Sequence, residues 1–131
     1  MVPVRRGPLR ATPMGFVQGI GDSLTRQELR EQIRMTTLLE SNNVSDTELN
    51  NLINTGLHWV NSWYPWPVSI VELSTDGSSP AFAEPFHWIL VHWAAAKLYE
   101  REEYFDVAQQ QMNEAIAQVR QMVKYYTGGR S

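Results

Sequence analysis

No cysteine occurs in the 131 residues. Thiol catalysis, zinc–thiolate sites and disulfide staples are therefore excluded, and the core must stand on burial alone. No apolar stretch approaches the ~18 residues that a membrane span needs, so no membrane partner is expected. The opening, MVPVRRGPLRATPMGF, has arginines but no continuous apolar block after them, and does not read as a secretory signal. Metal ligands at helical spacing are also lacking. His87 and His92 are five residues apart, which places them about 140° apart around a helix, where a chelating pair wants a spacing of three or four. Neither they nor His58 has a carboxylate at ligand spacing, so all three read as core-edge or surface residues. Glu100, Glu102 and Glu103 fall at a turn between two helices, where a carboxylate is solvated and lacks the raised pKa of a general acid. No serine sits in a Gly-x-Ser-x-Gly elbow. Gly19-Ile20-Gly21 has no strand before it and no Gly-Lys-Ser/Thr after it, which a phosphate loop requires. The expectation is a protein with no catalytic residues, no cofactor and no metal, and not an enzyme.

Acids are lacking too, but only at one end. Residues 1–21 hold Arg5, Arg6 and Arg10 and no carboxylate, a charge of +3. The rest holds 8 basic and 14 acidic residues, a charge of −6. An acidic body is poorly suited to gripping a phosphate backbone. The first 22 residues are punctuated by Pro3, Pro8, Pro13, Gly7, Gly15, Gly19 and Gly21, against any regular element. They also carry Val4, Leu9, Met14, Phe16, Val17 and Ile20, more large apolar groups than a solvating tail usually has. The segment reads either as an unstructured terminus or as an extended arm that orders against another surface. The arm reading makes Arg5, Arg6, Arg10 and Phe16 its contact residues.

What remains is helical, and the length fits one domain. The expected division is an arm over 1–22, a helical domain over 23–126 and a short flexible tail over 127–131. Thr25-Arg-Gln-Glu28 is a capping-box pattern opening a first helix to about Leu39, with Leu29, Ile33 and Thr36 or Thr37 as its stripe. A second box, Ser45-Asp-Thr-Glu48, opens a helix whose stripe is Leu49, Leu52, Ile53, Gly56, Val60 and Trp63, ended by Pro65. Val68–Leu73 reads as a strand. Asp76-Gly77 is a turn signal that would fold 68–83 into a short β-hairpin, marginal in water and needing support from the helices or a partner. A third helix starts near Pro85 and reaches Arg101-Glu102-Glu103, which reads as a tight connection or as part of one continuous helix. The fourth has an apolar seam of alternating three- and four-residue steps, Phe105, Ala108, Met112, Ala115, Val119, Met122 and Tyr126, and Gly128-Gly129 stops it. The fold class is therefore all-α, a four-helix bundle.

Two groups of side chains bear on partners. Five tryptophans are many for this length. Trp63 and Trp93 lie on apolar stripes and read as core, while Trp59, Trp66 and Trp88 exceed what one small core can hide, and tryptophan is enriched at interfaces. Trp66 and Trp88, with Asp76 in the candidate hairpin, are the contact candidates here. Arg26, Arg30 and Arg34 form an i, i+4 row beside the first helix's stripe. It is either a solvated flank or a row of ion pairs facing a neighbour's acids.

The order of these parts resembles the head-to-tail connector, or adaptor, proteins of tailed bacteriophages. Three stretches carry the resemblance: Thr25-Arg-Gln-Glu-Leu-Arg-Glu-Gln-Ile-Arg34; Val44-Ser-Asp-Thr-Glu-Leu-Asn-Asn-Leu-Ile-Asn54, followed by Trp63-Tyr-Pro-Trp-Pro67; and Phe86 to Tyr99 with Glu103-Tyr-Phe-Asp-Val-Ala108 and a long last helix. Together they cover roughly residues 24–126, and the preceding arm has no counterpart in the pattern. The resemblance implies a connector-type bundle in a dodecameric ring at the virion's head-to-tail junction, assembled in the host cytoplasm. Its partners would be other copies of the chain, the portal protein and tail or nozzle proteins, with DNA only passing through the channel. The alternative is a small DNA-binding regulator, with the first two helices as a helix-turn-helix. A reading helix wants Arg, Lys, Asn or Gln at its start. The second helix has Asp46 and Glu48 there, with Asn50, Asn51 and Asn54 further along.

Overall fold

The computed structural model describes residues 23–37 and 44–128. It holds four α-helices, α1 (Arg26–Thr37), α2 (Asp46–Asn61), α3 (Trp88–Arg101) and α4 (Phe105–Tyr126), with a 3₁₀ turn over Glu84–Phe86 before α3. The all-α class is thus observed. The arm residues Arg5, Arg6, Arg10 and Phe16, the end of the first helix toward Leu39, and residues 129–131 lie outside the described residues. No helix among the described residues is long and apolar enough to cross a membrane.

Both capping boxes form. The Glu28 amide donates to Thr25 Oγ1 (3.2 Å) and the Thr25 amide to Glu28 Oε1 (3.0 Å). At α2 the Glu48 amide donates to Ser45 Oγ and the Ser45 amide to Glu48 Oε1, each at 3.1 Å. These bonds satisfy donors that the first turn of a helix leaves free.

Helix α3 is the centre. Ile89, Leu90, Val91, Trp93, Ala94, Ala95, Ala96 and Leu98 are all buried, as expected of a helix with apolar residues on nearly every side, and α1, α2 and α4 all pack on it. Chain direction follows from end contacts. The Leu24 amide meets His87 at the start of α3, while the Tyr99 hydroxyl donates to the last carbonyls of α1, Thr36 and Thr37 (3.2 and 2.6 Å). Helix α1 therefore runs parallel to α3. Helix α4 returns antiparallel, bringing Tyr125 against Phe86 and the Tyr126 hydroxyl under the Ala83 amide (2.8 Å). Helix α2 is antiparallel as well, with Glu48 near Arg101 and Trp59 near Trp93. Its close approach to α3 needs Gly56, where a Cβ would stand 3.1 Å from the Trp93 ring and 3.2 Å from Leu90.

Three expectations are revised. No hairpin forms: residues 68–83 contain a turn at Asp76-Gly77 but no strand. The backbone groups a second strand would pair are taken elsewhere. The Arg26 and Gln27 amides donate to the Ser78 and Asp76 carbonyls (2.8 and 3.3 Å), and the Asn54 side chain brackets Leu73, accepting from its amide (2.8 Å) and donating to its carbonyl (3.3 Å). Trp63 is not core but 37% exposed. Helix α2 stops at Asn61, so Trp63 lies past the stripe and only edges the Trp59 ring at 5.7 Å. Phe105 heads the α4 seam but is 62% exposed, because it stands beside the small Ala96 and Ala108 at an open groove between α3 and α4. Further along, Ala108, Ala115, Val119 and Met122 are buried.

Candidate functional site

Along α1 an ion-pair cluster ties the helix to the 68–83 segment and to α2. Arg26 and Arg30 converge on Asp76: Arg26 at 3.0 Å (Nε) and 2.9 Å (Nη2), Arg30 at 2.7 Å (Nη1) and 3.2 Å (Nη2). Arg30 is buried and also donates to Asn50 Oδ1 at 2.9 Å. Arg34 pairs with Asp46 at 2.8 Å and donates to the Val44 carbonyl at 2.9 Å. The hydrogen bonds from Arg30 and then Arg26 lower the Asp76 carboxyl to about 2, and Asp76 in turn raises the Arg30 guanidinium. Two cations on one carboxylate favour its charged form. Arg26, Arg30, Arg34 and Asp76 are thus brought together, and each finds its ion pair within the chain. The pattern of acid and base in the sequence showed neither these pairings nor the part of Asn54.

The aromatic candidates lie elsewhere. Trp66 is half-buried over the end of α2, donating its indole N–H to the Val60 carbonyl (2.8 Å) with its ring edge-on to Tyr126 at 5.9 Å. Trp88 is half-buried at the first turn of α3, with its ring centre 6.5 Å from His92.

The histidines occupy separate places. His58 is exposed and contacts Glu72 at 2.7 Å, and His92 meets Gln111 at 2.7 Å. His87 is buried, and its Nε2 sits 2.8 Å from the Phe82 carbonyl. A carbonyl only accepts, so Nε2 carries the proton and Nδ1 accepts from the Leu24 amide at 3.1 Å. Burial lowers the His87 pKa. Among the described residues no three His, Asp or Glu side chains converge as a metal site would need.

The remaining feature is where α3 turns into α4. Glu103 makes this turn at φ 66°, with the Tyr104 amide donating to the Tyr99 carbonyl at 2.9 Å. Tyr104 and Phe105 are 54% and 62% exposed, and Val107 is also exposed. Between the helices lies an open groove, with Ala96 and Ala108 at its floor and Phe105, Met112 and Glu100 among its walls. The three- and four-residue repeat of α4 includes Phe105 in its apolar seam. The signal that locates the groove is the pair of alanines, which leave unfilled the space beside it.

Comparison with known protein families, with curated proteins and with solved structures gives no match to this chain.

Proposed function

We propose that this chain is a structural subunit of a tailed-phage neck, one copy in a ring adaptor that joins the portal to the tail and extends the DNA channel. The reading assigns it no chemistry of its own. Its support begins with the three motif stretches, whose order resembles that of connector proteins. The observation that carries the reading furthest is the surface at the α3–α4 turn. The body already buries an apolar core from all four helices, yet Tyr104, Phe105 and Val107 stand exposed at the end of the bundle where α3 turns into α4, and Met35, near the end of α1, is exposed as well. Grouped apolar exposure of this kind marks protein contact surfaces. Arg26, Arg30, Arg34 and Arg101 are each paired with an acid. Asp46 and Glu48 head α2 and are themselves paired with Arg34 and Arg101, so that helix presents acids where a reading helix presents donors.

The test is to image intact particles carrying a label on the C-terminus of this chain. The expected result is a ring of label between portal and tail. Label on the capsid shell, or none in purified particles, refutes the neck assignment. A mobility-shift assay at low salt is expected to show no tight duplex binding, and tight binding would favour the regulator reading. Deleting residues 1–22 is expected to leave the helical signal unchanged and impair assembly. Normal assembly of the truncated chain would remove the arm from the account.

A further inference from the structure

We propose that His87 is an acid-opened latch: protonation of its buried ring releases Leu24 from the start of α3 and leaves α1 docked on the bundle. The inference is independent of the neck assignment.

The His87 side chain is enclosed, at 1% exposed, and each ring nitrogen has a backbone partner. Nε2 donates to the Phe82 carbonyl at 2.8 Å, and Nδ1 accepts from the Leu24 amide at 3.1 Å. Only the neutral ring can do both. A proton on Nδ1 sets one N–H against another, so the bond to Leu24 must break. The protonated ring still has a place in the body, because the Phe82 and Pro80 carbonyls both favour its charged form. Leu24 has no second hold of that kind. Its amide has no other partner among the described residues, and its side chain is only half-buried against the core. Few charges face the ring. Glu84, in the 3₁₀ turn, favours the proton. In the first turn of α1, Arg26 is bound to Asp76 and Glu28 to Thr25. Helix α4 reaches this region with Tyr126, whose hydroxyl accepts from the Ala83 amide at 2.8 Å. Burial opposes the proton and outweighs the two carbonyls and Glu84, so the latch is closed at neutral pH.

Helix α1 is anchored by contacts that this proton does not touch. The Arg26 and Gln27 amides donate to the Ser78 and Asp76 carbonyls at 2.8 and 3.3 Å, Arg26 and Arg30 both bind the Asp76 carboxylate, and the Tyr99 hydroxyl holds the carbonyls of Thr36 and Thr37 at the far end. The Asp76 carboxyl titrates at about 2, well below the range of an imidazole. Between the two titrations lies a span of pH in which Leu24 is free and α1 remains in place. Acid therefore loosens the entry of the chain into α1 before it loosens the bundle.

The test follows hydrogen exchange at the Leu24 amide and the ring nitrogens of His87 by NMR on the full-length chain, from about pH 7.5 to about pH 4. Only the open form takes the proton, so the protection of Leu24 is expected to fall roughly tenfold per pH unit below about 6.5. The amides of Leu29 and Leu49, which donate within the first turns of α1 and α2, are expected to stay protected by about a hundredfold or more at the pH where Leu24 has lost its protection. In His87→Gln, whose side chain gains no proton, the protection of Leu24 is expected to be flat across the range. Should that variant not fold, the wild-type slope and the ring signals decide. Leu24 protection that is unchanged while the ring titrates overturns the proposal. So does loss of protection at Leu24, Leu29 and Leu49 together, a neutral ring with its proton on Nδ1, a ring that stays neutral throughout, or a folded His87→Gln chain with the wild-type slope.

Discussion

Replacing Asn54 by Ala tests the account of why residues 68–83 lie on the bundle without forming a hairpin. The Leu73 side chain is 5% exposed, and its amide has Asn54 Oδ1 as partner at 2.8 Å. The Leu73 carbonyl has two donors, Asn54 Nδ2 at 3.3 Å and Arg26 Nη1 at 3.2 Å, so it keeps one after the substitution. The loss is therefore concentrated on the amide. Leaving a buried donor unpaired costs about 1–3 kcal/mol. Because Asn54 is half-buried, water reaches part of the vacated space and the cost falls in the lower half of that range. Alanine returns up to about 0.5 kcal/mol in helix propensity. The expected net loss is about 0.5–2 kcal/mol, centred near 1 kcal/mol, a fall in Tm of several degrees for a domain of this size. Urea unfolding and hydrogen exchange at the Leu73 amide read the two parts separately. Asn54→Asp keeps the acceptor for the amide and is expected to retain more of the amide's protection than Asn54→Ala does. If Asn54→Ala leaves stability within about 0.5 kcal/mol of wild type, the ordinary range for surface substitutions, and Leu73 exchange is unchanged, the bracket does not hold the segment and the explanation fails.

Three further outcomes are expected. Ser45→Ala removes one half of the α2 capping box and should cost about 1 kcal/mol in urea unfolding; no change would mean that the cap is redundant. Glu103→Gly relieves a left-handed residue and should stabilise by roughly 0.5–1 kcal/mol, with destabilisation showing that the Glu103 side chain matters more than its backbone. Acid should weaken the fold in two stages. The His87 pKa is lowered from 6.5 by burial, so near and below that pH the unfolded chain takes up a proton that the native imidazole resists. Its contribution is complete above 6.5 and is lost as the pH falls from there toward the native value. That of Asp76 is complete above 3.8 and is lost between 3.8 and about 2. An NMR titration midpoint for His87 at or above 6.5 would contradict the first stage.

Local signals were enough to locate the helices and most of the core. The two Ser/Thr-x-x-Glu boxes start α1 and α2 because the side chains that satisfy the first amides lie within four residues of them. The three- and four-residue steps of α4 name Ala108, Ala115, Val119 and Met122 as buried because period and burial are linked along a single helix. Where one element meets another, the sequence was mute. Val68–Leu73 has the composition of a strand, but its partners were chosen by Asn54 and by the first amides of α1, tens of residues away in the chain. Arg26 and Arg30 read equally well as a solvated flank or as an interface until Asp76 was brought between them. Phe105 fits the α4 repeat and still stands exposed, because two alanines leave the adjoining space empty. Helix starts and apolar stripes depend on neighbours in sequence and were legible there; ion-pair partners, the route of the 68–83 segment and the groove depend on which surfaces meet in space, and only the tertiary structure decided them.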